Sequence, residues 1–241
     1  MTATTNSSPC AACAVRDLSF CGALANGSRQ EPASPQSAWR QAYHAERARH
    51  DIDRANETAG DVHIVCHGWA ARVIGLADGR RQILSFLIPG DLVSATAPFG
   101  ESMELSVQAI TELRYSSINR TDFMAALCRR SEILDAWASA SAAQQEEADQ
   151  LIVYLRRQRA NERIAGLILR LMERLAARGM VKDQCFGFPL DGRHLSDAMG
   201  LTPTVVKRVL DEFRAANLIE LADGVLKIVN LTELSRLAQL D

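Results

Sequence analysis

The sequence lacks the patterns that would place it in a membrane or give it a common catalytic site. No stretch approaches the ~20 consecutive apolar residues of a membrane-spanning helix. Residues 1–9 have neither the basic region nor the apolar core of a secretory signal, so we expect a cytoplasmic protein. There is no HExxH pair, no GxSxG elbow and no phosphate-binding GxxxxGK loop. We therefore predict that the chain is not an enzyme.

The sequence also has little net charge, but its charges are unevenly placed. The 241 residues carry a net charge of −2. Residues 156–241 contain 14 Lys and Arg against 11 Asp and Glu, whereas residues 1–155 contain 13 against 18. A basic C-terminal part is compatible with a local surface for a polyanion, although the whole chain is not a polycation.

The hydrophobic pattern divides the chain into four parts. An N-terminal cysteine-containing segment, 1–50, is predicted to be loop over 22–37 and to form a short helix over 38–50. Between 51 and 130, short apolar runs alternate with Gly, Pro and Asp-Gly turns, which predicts a small barrel or β-roll. The strands are expected at 62–66, 69–74, 82–88, 105–110 and 113–118.

The third part, 131–159, contains no Gly or Pro and predicts one long helix. About 28 residues at 1.5 Å each give a length of roughly 42 Å. A small roll cannot cover that length, and a parallel helix from a second copy of the chain is the simplest partner. We therefore expect a homodimer.

The fourth part, 160–241, contains a segment with the spacing of a helix-turn-helix, 195–210. Gly200 stands where the chain must reverse, and glycine tolerates a positive φ there. Thr202 can cap the second helix, with Pro203 at its first position. A hairpin at 219–229 with Asp-Gly at its tip would form the wing.

Four residues of this segment are the candidate DNA contacts. The inner face of the second helix is apolar, which leaves Thr202, Thr204, Lys207 and Arg208 near the side that would face a groove. Such side chains can contact base edges and phosphates when a recognition helix enters the major groove. A generic helical hairpin is the alternative, but the turn glycine, the cap and the following hairpin agree in favouring DNA binding.

The motifs GWA…DGRRQILSFLIPGD at 68–91 and NERIA at 161–165, with the helix-turn-helix, resemble the CRP/FNR family. This is the family of the cyclic AMP receptor protein and the fumarate–nitrate reduction regulator. The resemblance covers about 60–237 and implies an α+β chain: a cyclic-nucleotide-binding-like β-roll, a long dimerisation helix and a C-terminal winged helix-turn-helix. It also implies a homodimeric transcription regulator on a palindromic operator, with half-sites ~34 Å apart and RNA polymerase as a further partner.

Two departures from the family pattern bear on the ligand and the operator. Where the cyclic AMP branch has an Arg-Ser pair for the phosphate, residues 101–105 read ESMEL, so we expect no cyclic nucleotide. In the recognition helix, Thr204 occupies the slot of a common Glu and Lys207 that of a small residue, while Arg208 is retained. The half-site usual for the family is therefore not expected.

The N-terminal run Cys10-x2-Cys13-x7-Cys21 resembles the cysteine motif of oxygen-sensing FNR-like members. In that branch, three such cysteines and one in the roll hold a 4Fe–4S cluster, which oxygen destroys. Clustered thiols in a reducing compartment also indicate metal or redox chemistry in general. Free thiols on a loose tail and a disulfide or sulfenate switch are the alternatives.

The fourth cysteine of the FNR-like motif is replaced. Ser116 lies at about that position in this sequence, and serine is a poor ligand for a soft metal. Cys66 is the leading substitute, with a small buried core residue as an equal alternative, because it alternates with Val62 and Ile64. The predicted ligand set is therefore Cys10, Cys13, Cys21 and Cys66. A regulator without a cluster, controlled by abundance, thiol oxidation or another ligand, is the alternative function.

Overall fold

The computed structural model describes residues 13–27, 41–53, 61–94, 99, 105–157 and 159–238. The first half is mainly strands, and the second half is mainly helices. The strands are β1 (Gln41–Glu46), β2 (Asp51–Asp53), β3 (Val62–His67), β4 (Ala70–Gly75), β5 (Arg81–Leu87), β6 (Ser106–Ala109), β7 (Leu113–Ile118), β8 (Cys185–Gly187), β9 (Ile219–Ala222) and β10 (Val225–Ile228). The helices are α1 (Phe20–Gly27), α2 (Arg120–Arg129), α3 (Ser131–Arg157), α4 (Ala160–Ala177), α5 (Gly192–Met199), α6 (Pro203–Ala215) and α7 (Leu231–Leu237).

The first seven strands form the predicted antiparallel β-roll. One sheet has the order β1-β7-β3 and the other β2-β6-β4-β5. Gly68 forms the turn between β3 and β4 with a φ of 85°, and a Cβ there would collide with the Glu112 carbonyl. Alternating apolar residues, such as Val62 and Ile64 in β3, are buried between the sheets and the helices. The predicted α+β class is confirmed.

Two expectations for the N-terminal segment are wrong. Residues 41–46, expected within a helix, form β1 and pair with β7, from Gln41 opposite Ile118 to Glu46 opposite Leu113. The open edge of β7 overrides the helical propensity of the Ala- and Arg-rich sequence. Residues 22–27, expected to be loop, belong to α1, where Phe20 and Leu24 are buried against the start of α3. The roll thus begins before residue 51, the boundary expected for it.

The C-terminal part contains α4 to α7 and a three-stranded sheet of order β8-β10-β9. Its wing has one strand more than the predicted hairpin, because β8 pairs with β10. The apolar core of this part continues into the roll. Trp69 and Phe86 of the roll share one buried cluster with Leu195 and Met199 of the helix-turn-helix. The roll and the C-terminal part of one chain are therefore packed together.

Partly buried ion pairs stabilise the same contact between the roll and α4. Asp91, which follows the turn after β5, accepts hydrogen bonds from Arg174 at 2.5 Å and from Arg178 at 2.9 Å. Arg174 also reaches Glu147 of α3 at 2.9 Å. Burial raises the pKa of Glu147, against the opposing effect of Arg174.

Among the helices that the structure describes, none has the length and apolarity needed to cross a membrane.

Candidate DNA-binding interface

The turn between α5 and α6 is built as the sequence predicts. α5 ends at Gly200, which adopts the left-handed conformation with φ 62° and ψ 38°. The Thr202 hydroxyl accepts a hydrogen bond from the Val205 N–H at 3.4 Å, and Pro203 follows at the first helical position. The cap and the proline fix where α6 begins, so the register of its faces is determined locally.

The inner face of α6 is anchored in the protein core. Val206, Val209 and Phe213 are each at least 98% buried and belong to the same cluster as Leu195 and Ala198 of α5. Ala198 is small, and it is fully buried where the two helices meet. Because this face cannot turn outward without exposing the core, the opposite face of α6 is permanently presented to solvent.

The outer face of α6 carries the predicted contacts. Thr204, Lys207 and Arg208 are all exposed. The Lys207 Nζ lies 2.6 Å from Oδ2 of Asp211, and the Arg208 Nε lies 3.7 Å from Oε1 of Glu212. Exposed ion pairs of this kind contribute little stability, so a phosphate or a base edge can replace the carboxylate. The structure thus places these three residues together on one accessible surface.

Thr202 has a different position from the other three. Its hydroxyl is occupied as the cap of α6, although the residue itself is exposed. Thr202 therefore sets the start of α6, a role that Thr204, Lys207 and Arg208 do not share. Contact with DNA by Thr202 stays a prediction.

One basic residue at this surface was missed by the sequence analysis. Arg193 is exposed in the first turn of α5, after the cap Asp191, whose carboxylate accepts from the N–H groups of Arg193 and His194. The first helix of a helix-turn-helix crosses the DNA backbone, so a cation at its beginning can meet a phosphate. The sequence signal was the Asp-Gly-Arg-His run, which predicts a helix start followed by a free cation.

The long helix α3 presents a second exposed surface. Its residues at alternating spacings of four and three are exposed or half-exposed, which is the pattern of a coiled-coil seam. Leu134 is 43% exposed at one end and Ile152 is 57% exposed at the other. We call this set the α3 seam: Leu134, Ala138, Ser141, Gln145, Ala148 and Ile152. The small side chains of Ala138, Ser141 and Ala148 would allow a second helix to approach closely.

The described cysteines do not form a group of three metal-binding side chains. Cys13 is half-buried, and Cys21 is buried in α1 in an apolar cluster with Phe20 and Leu24. Cys66 is half-buried beside a bulge of β3, and its thiol donates weakly to the Ile64 carbonyl at 3.7 Å. Cys10 lies outside the described residues. In the described part of the chain, no three His, Cys, Asp or Glu side chains are grouped to hold a metal, so the cysteines there do not form a ligand set.

Ser116, at the position of the family's fourth cysteine, is completely buried in β7. Its hydroxyl has no hydrogen-bond partner among the described residues. It pairs with Ile64 across the sheet, and it shares a strand face with Ile118. Ile64 and Ile118 belong to the apolar cluster that contains Cys21. The strand face of Ser116 is therefore the one that the N-terminal helix covers.

A cavity of about 640 Å³ lies between the roll, α3 and α4. Ser85 of β5 lines it, is 93% buried, and has a hydroxyl without a partner among the described residues. Near it, Arg72 of β4 donates to Gln144 of α3 at 3.4 Å, and burial lowers the pKa of this arginine. Residues 101–104, which the sequence analysis used to exclude a cyclic nucleotide, lie outside the described residues.

Comparisons with known proteins agree with this architecture. Residues 162–237 match the model of the Crp-like helix-turn-helix domain, and residues 47–130 match that of the cyclic nucleotide-binding domain. The chain is 28% identical over 216 residues to the transcriptional activatory protein AadR of Rhodopseudomonas palustris, covering 88% of this chain and 86% of that protein. It is 32% identical over 149 residues to the nitrogen fixation regulation protein FixK of Rhizobium meliloti, covering 62% and 64%.

Among solved structures, FixK2 from Bradyrhizobium japonicum superimposes with a TM-score of 0.75. It is 23% identical to this chain and covers 84% of it, with 99% of its own length matched. At this identity the superposition establishes the shared fold only.

Proposed function

The chain belongs to the CRP/FNR family of DNA-binding transcription regulators, and we propose that it acts as a homodimer on a palindromic operator. The exposed face of α6, with Thr204, Lys207 and Arg208, carries this proposal. Two copies related by a two-fold axis would read half-sites about one helical turn apart, ~34 Å. We further propose that it works with RNA polymerase in the cytoplasm and has no catalytic role.

The α3 seam supports the homodimer. Its members repeat at the heptad spacing over 19 residues, from Leu134 to Ile152, and remain accessible on a single chain. Apolar residues at both ends and the small Ala138, Ser141 and Ala148 between them favour a close parallel helix pair. A neighbouring face of α3 packs against the rest of the chain, because Ile133 is buried and Gln144 donates to the Leu92 carbonyl of the roll.

Selection from a random DNA library under strict exclusion of air tests the function. We expect the full-length chain to enrich one inverted repeat and to bind it with two copies per duplex, as measured by sedimentation. Enrichment of no sequence above background would contradict the proposal. Enrichment of a single unrepeated half-site by a monomer would contradict the dimer and leave the DNA contact of α6 intact.

For the sensor, we propose an oxygen-responsive 4Fe–4S cluster on Cys10, Cys13 and Cys21, with Cys66 as the fourth ligand. The spacing of the three N-terminal cysteines supports it. Because no three metal-binding side chains are grouped among the described residues, the proposal requires the N-terminal segment to bring its cysteines to Cys66. The cluster would supply a redox-sensitive crosslink between these residues.

The cluster proposal is tested by iron and sulfide content after anaerobic purification. We expect about four irons per chain in the natural protein, and a loss of iron in Cys13→Ser and Cys66→Ser. Cys128→Ser, at an exposed position of α2, is the matched control and should retain the iron. A colourless anaerobic protein without iron would contradict the cluster and leave DNA binding untouched.

A ligand-controlled regulator without a cluster is the second candidate, and the cavity favours it. The hydroxyl of Ser85, which has no partner in the described part of the chain, could bind a small polar effector together with the nearby Arg72 and Gln144. Because of Glu101 and Glu104, we propose an effector other than a cyclic nucleotide. This candidate predicts that Ser85→Val alters promoter response in cells, while Cys10→Ser, Cys13→Ser and Cys21→Ser do not. The opposite result would favour the cysteines.

A further inference from the structure

We propose that the turn between β1 and β2 is a second DNA-contacting surface, which binds phosphates flanking the half-site read by α6. The turn carries Arg47, Arg49 and His50, and all three are exposed. The inference rests on the proposed binding of DNA by α6. It adds a contact that comes from the roll and lies outside the helix-turn-helix.

A chain of hydrogen bonds connects this turn to the first helix of the helix-turn-helix. Gln108 of β6 donates to Asp51 at 3.3 Å, directly after the turn. Arg81 donates to Gln108 at 2.7 Å and to Asp197 of α5 at 2.6 Å. These bonds cross from the roll to α5 in three steps, so the turn lies beside α5.

The backbone of the turn is fixed while its side chains stay in solvent. The Arg49 N–H donates to the Ala109 carbonyl at 2.7 Å, and the Ala109 N–H donates to the His50 carbonyl at 2.9 Å. Arg49 adopts a φ of 70°, which only a few per cent of non-glycine residues do. Because the backbone is held at both sides of such a residue, only side-chain freedom would be lost when its cations bind a phosphate.

The packing of the two parts fixes the turn relative to α6. Trp69 and Phe86 of the roll share a buried cluster with Leu195 and Met199 of α5. Because α5 and α6 belong to one core, a duplex docked on α6 would meet α5 and then the turn in a fixed geometry. The first helix of this motif crosses the DNA backbone, so the surface next to the exposed Arg193 is where the flanking phosphates would lie.

The arginines of this surface are the groups that suit it to a phosphate. Within the described residues, Arg47, Arg49 and Arg193 form no salt bridge, whereas Arg81 is paired with Asp197. Acids lie close by as well: Asp51 accepts from Gln108, Asp191 caps α5, and Glu46 directly precedes Arg47. The positive charge of Arg49 acts electrostatically on His194 of α5. Burial, with smaller effects of Arg81 and Arg49, holds the pKa of His194 below its usual value.

The test compares two duplexes that differ only in length. One carries the site that the wild-type chain selects from a random library, and the other adds about 10 base pairs on each side. We expect the full-length wild-type chain to bind the longer duplex more tightly. Arg49→Ala should bind the longer duplex about 5–10-fold more weakly, with a salt slope smaller by about 0.9 for each phosphate that the variant no longer neutralises. Binding to the short duplex should stay unchanged.

Matched variants separate charge from folding. Arg49→Lys should recover most of the affinity, because a phosphate contact requires a cation more than a specific geometry. Arg47→Ala removes a second positive charge from the turn, at a position without a positive φ. Arg129→Ala, an exposed arginine of α2, should bind both duplexes like wild type.

Three outcomes would overturn the inference. The first is that Arg49→Ala weakens binding to both duplexes equally. The second is that the wild type binds the longer duplex no more tightly than the short one. The third is unchanged DNA affinity with loss of transcription in a reconstituted polymerase reaction, which would assign the turn to a protein partner. Failure of the wild type to select any site would instead refute the proposed function itself.

Discussion

The Lys207 ammonium lies 2.6 Å from the carboxylate of Asp211, one turn further along the exposed face of α6. Arg214 contacts the other oxygen of the same carboxylate at 2.9 Å. The hydrogen bond from Lys207 is the largest of the causes that lower the pKa of Asp211. In the free chain, one of the predicted DNA contacts is therefore already engaged with an acid of its own helix.

Asp211→Asn should strengthen DNA binding, and Lys207→Ala should weaken it. Removal of the carboxylate frees Lys207 and also removes a negative charge that would face the phosphates. If Lys207 touches a phosphate, its removal should reduce the slope of log affinity against log salt by about 0.9 per phosphate. Titration of the selected duplex at several salt concentrations measures both effects. Weaker binding by Asp211→Asn would show that the acid itself positions the lysine for contact.

Arg208→Ala should abolish specific binding of the operator. A bidentate contact from arginine to a base contributes about 1–3 kcal/mol of discrimination, and a homodimer would lose it twice. The variant should keep its helical circular dichroism, because Arg208 is exposed and its only ion pair among the described residues is a loose one with Glu212. Arg236→Ala on α7 is the control. Unchanged affinity for Arg208→Ala would show that another face of α6 meets the DNA.

Ile152→Glu should dissociate the proposed homodimer. Ile152 belongs to the α3 seam, where a charge would be buried against the same charge of the partner helix. Its neighbour Val153 is 51% exposed but lies outside the seam, so Val153→Glu is a control of equal chemistry. Sedimentation equilibrium should give a monomer for Ile152→Glu and a dimer for Val153→Glu. The reverse order would move the seam by one residue around α3.

Gly200→Ala should destabilise the chain by about 1–2 kcal/mol, the cost of a side chain in the left-handed conformation. A Cβ there would lie 3.4 Å from the Leu155 side chain, which is ordinary contact, so the cost comes from the backbone. Denaturant unfolding measures the difference. Gly187→Ala, at a position without positive φ or near neighbours among the described residues, is the control. An unaltered midpoint for Gly200→Ala would show that the turn can adopt another conformation.

The stability of the chain should fall as the pH drops below about 6.5, and His194 should contribute to this fall. The Asp191 N–H donates to Nδ1 of His194, and burial lowers the pKa of the ring, so the folded state favours the neutral form. On acidification the unfolded chain takes up the proton first, and stability is lost until the lower folded pKa is passed. His194→Gln keeps an acceptor for the cap and should give a shallower dependence. Urea midpoints between about pH 5 and pH 8 measure it.

Local signals predicted the roll strands and the helix-turn-helix. Gly68, Gly90 and Gly200 all have positive φ, and each stands at a chain reversal that the sequence indicated. The cap Thr202 and the buried positions of α6 follow from spacing and helical period alone. The ion pair between Lys207 and Asp211 could also be predicted from the sequence, because residues four apart share a helix face.

Elements that depend on distant partners were missed. β1 is a strand because β7, far along the chain, offers an edge where Tyr43 pairs with Ser116 and Ala45 with Arg114. β8 has only three residues and is a strand because it pairs with β10. The contact of Arg81 with Asp197 joins positions separated by 116 residues, and no period or motif relates them. Non-local pairing of this kind leaves no trace in a short window of sequence.

The shared interior of the roll and the helix-turn-helix restricts how a signal can reach the operator. A chain with two independently cored modules could respond by swinging one module on a flexible joint. Here Trp69 and Phe86 are buried against α5, and Asp91 is tied to Arg174 and Arg178. A swinging motion of either module would have to expose that shared core to water. In the proposed homodimer, control would therefore fall most readily on the α3 seam, because the spacing of the two copies would decide whether both copies of α6 fit one duplex.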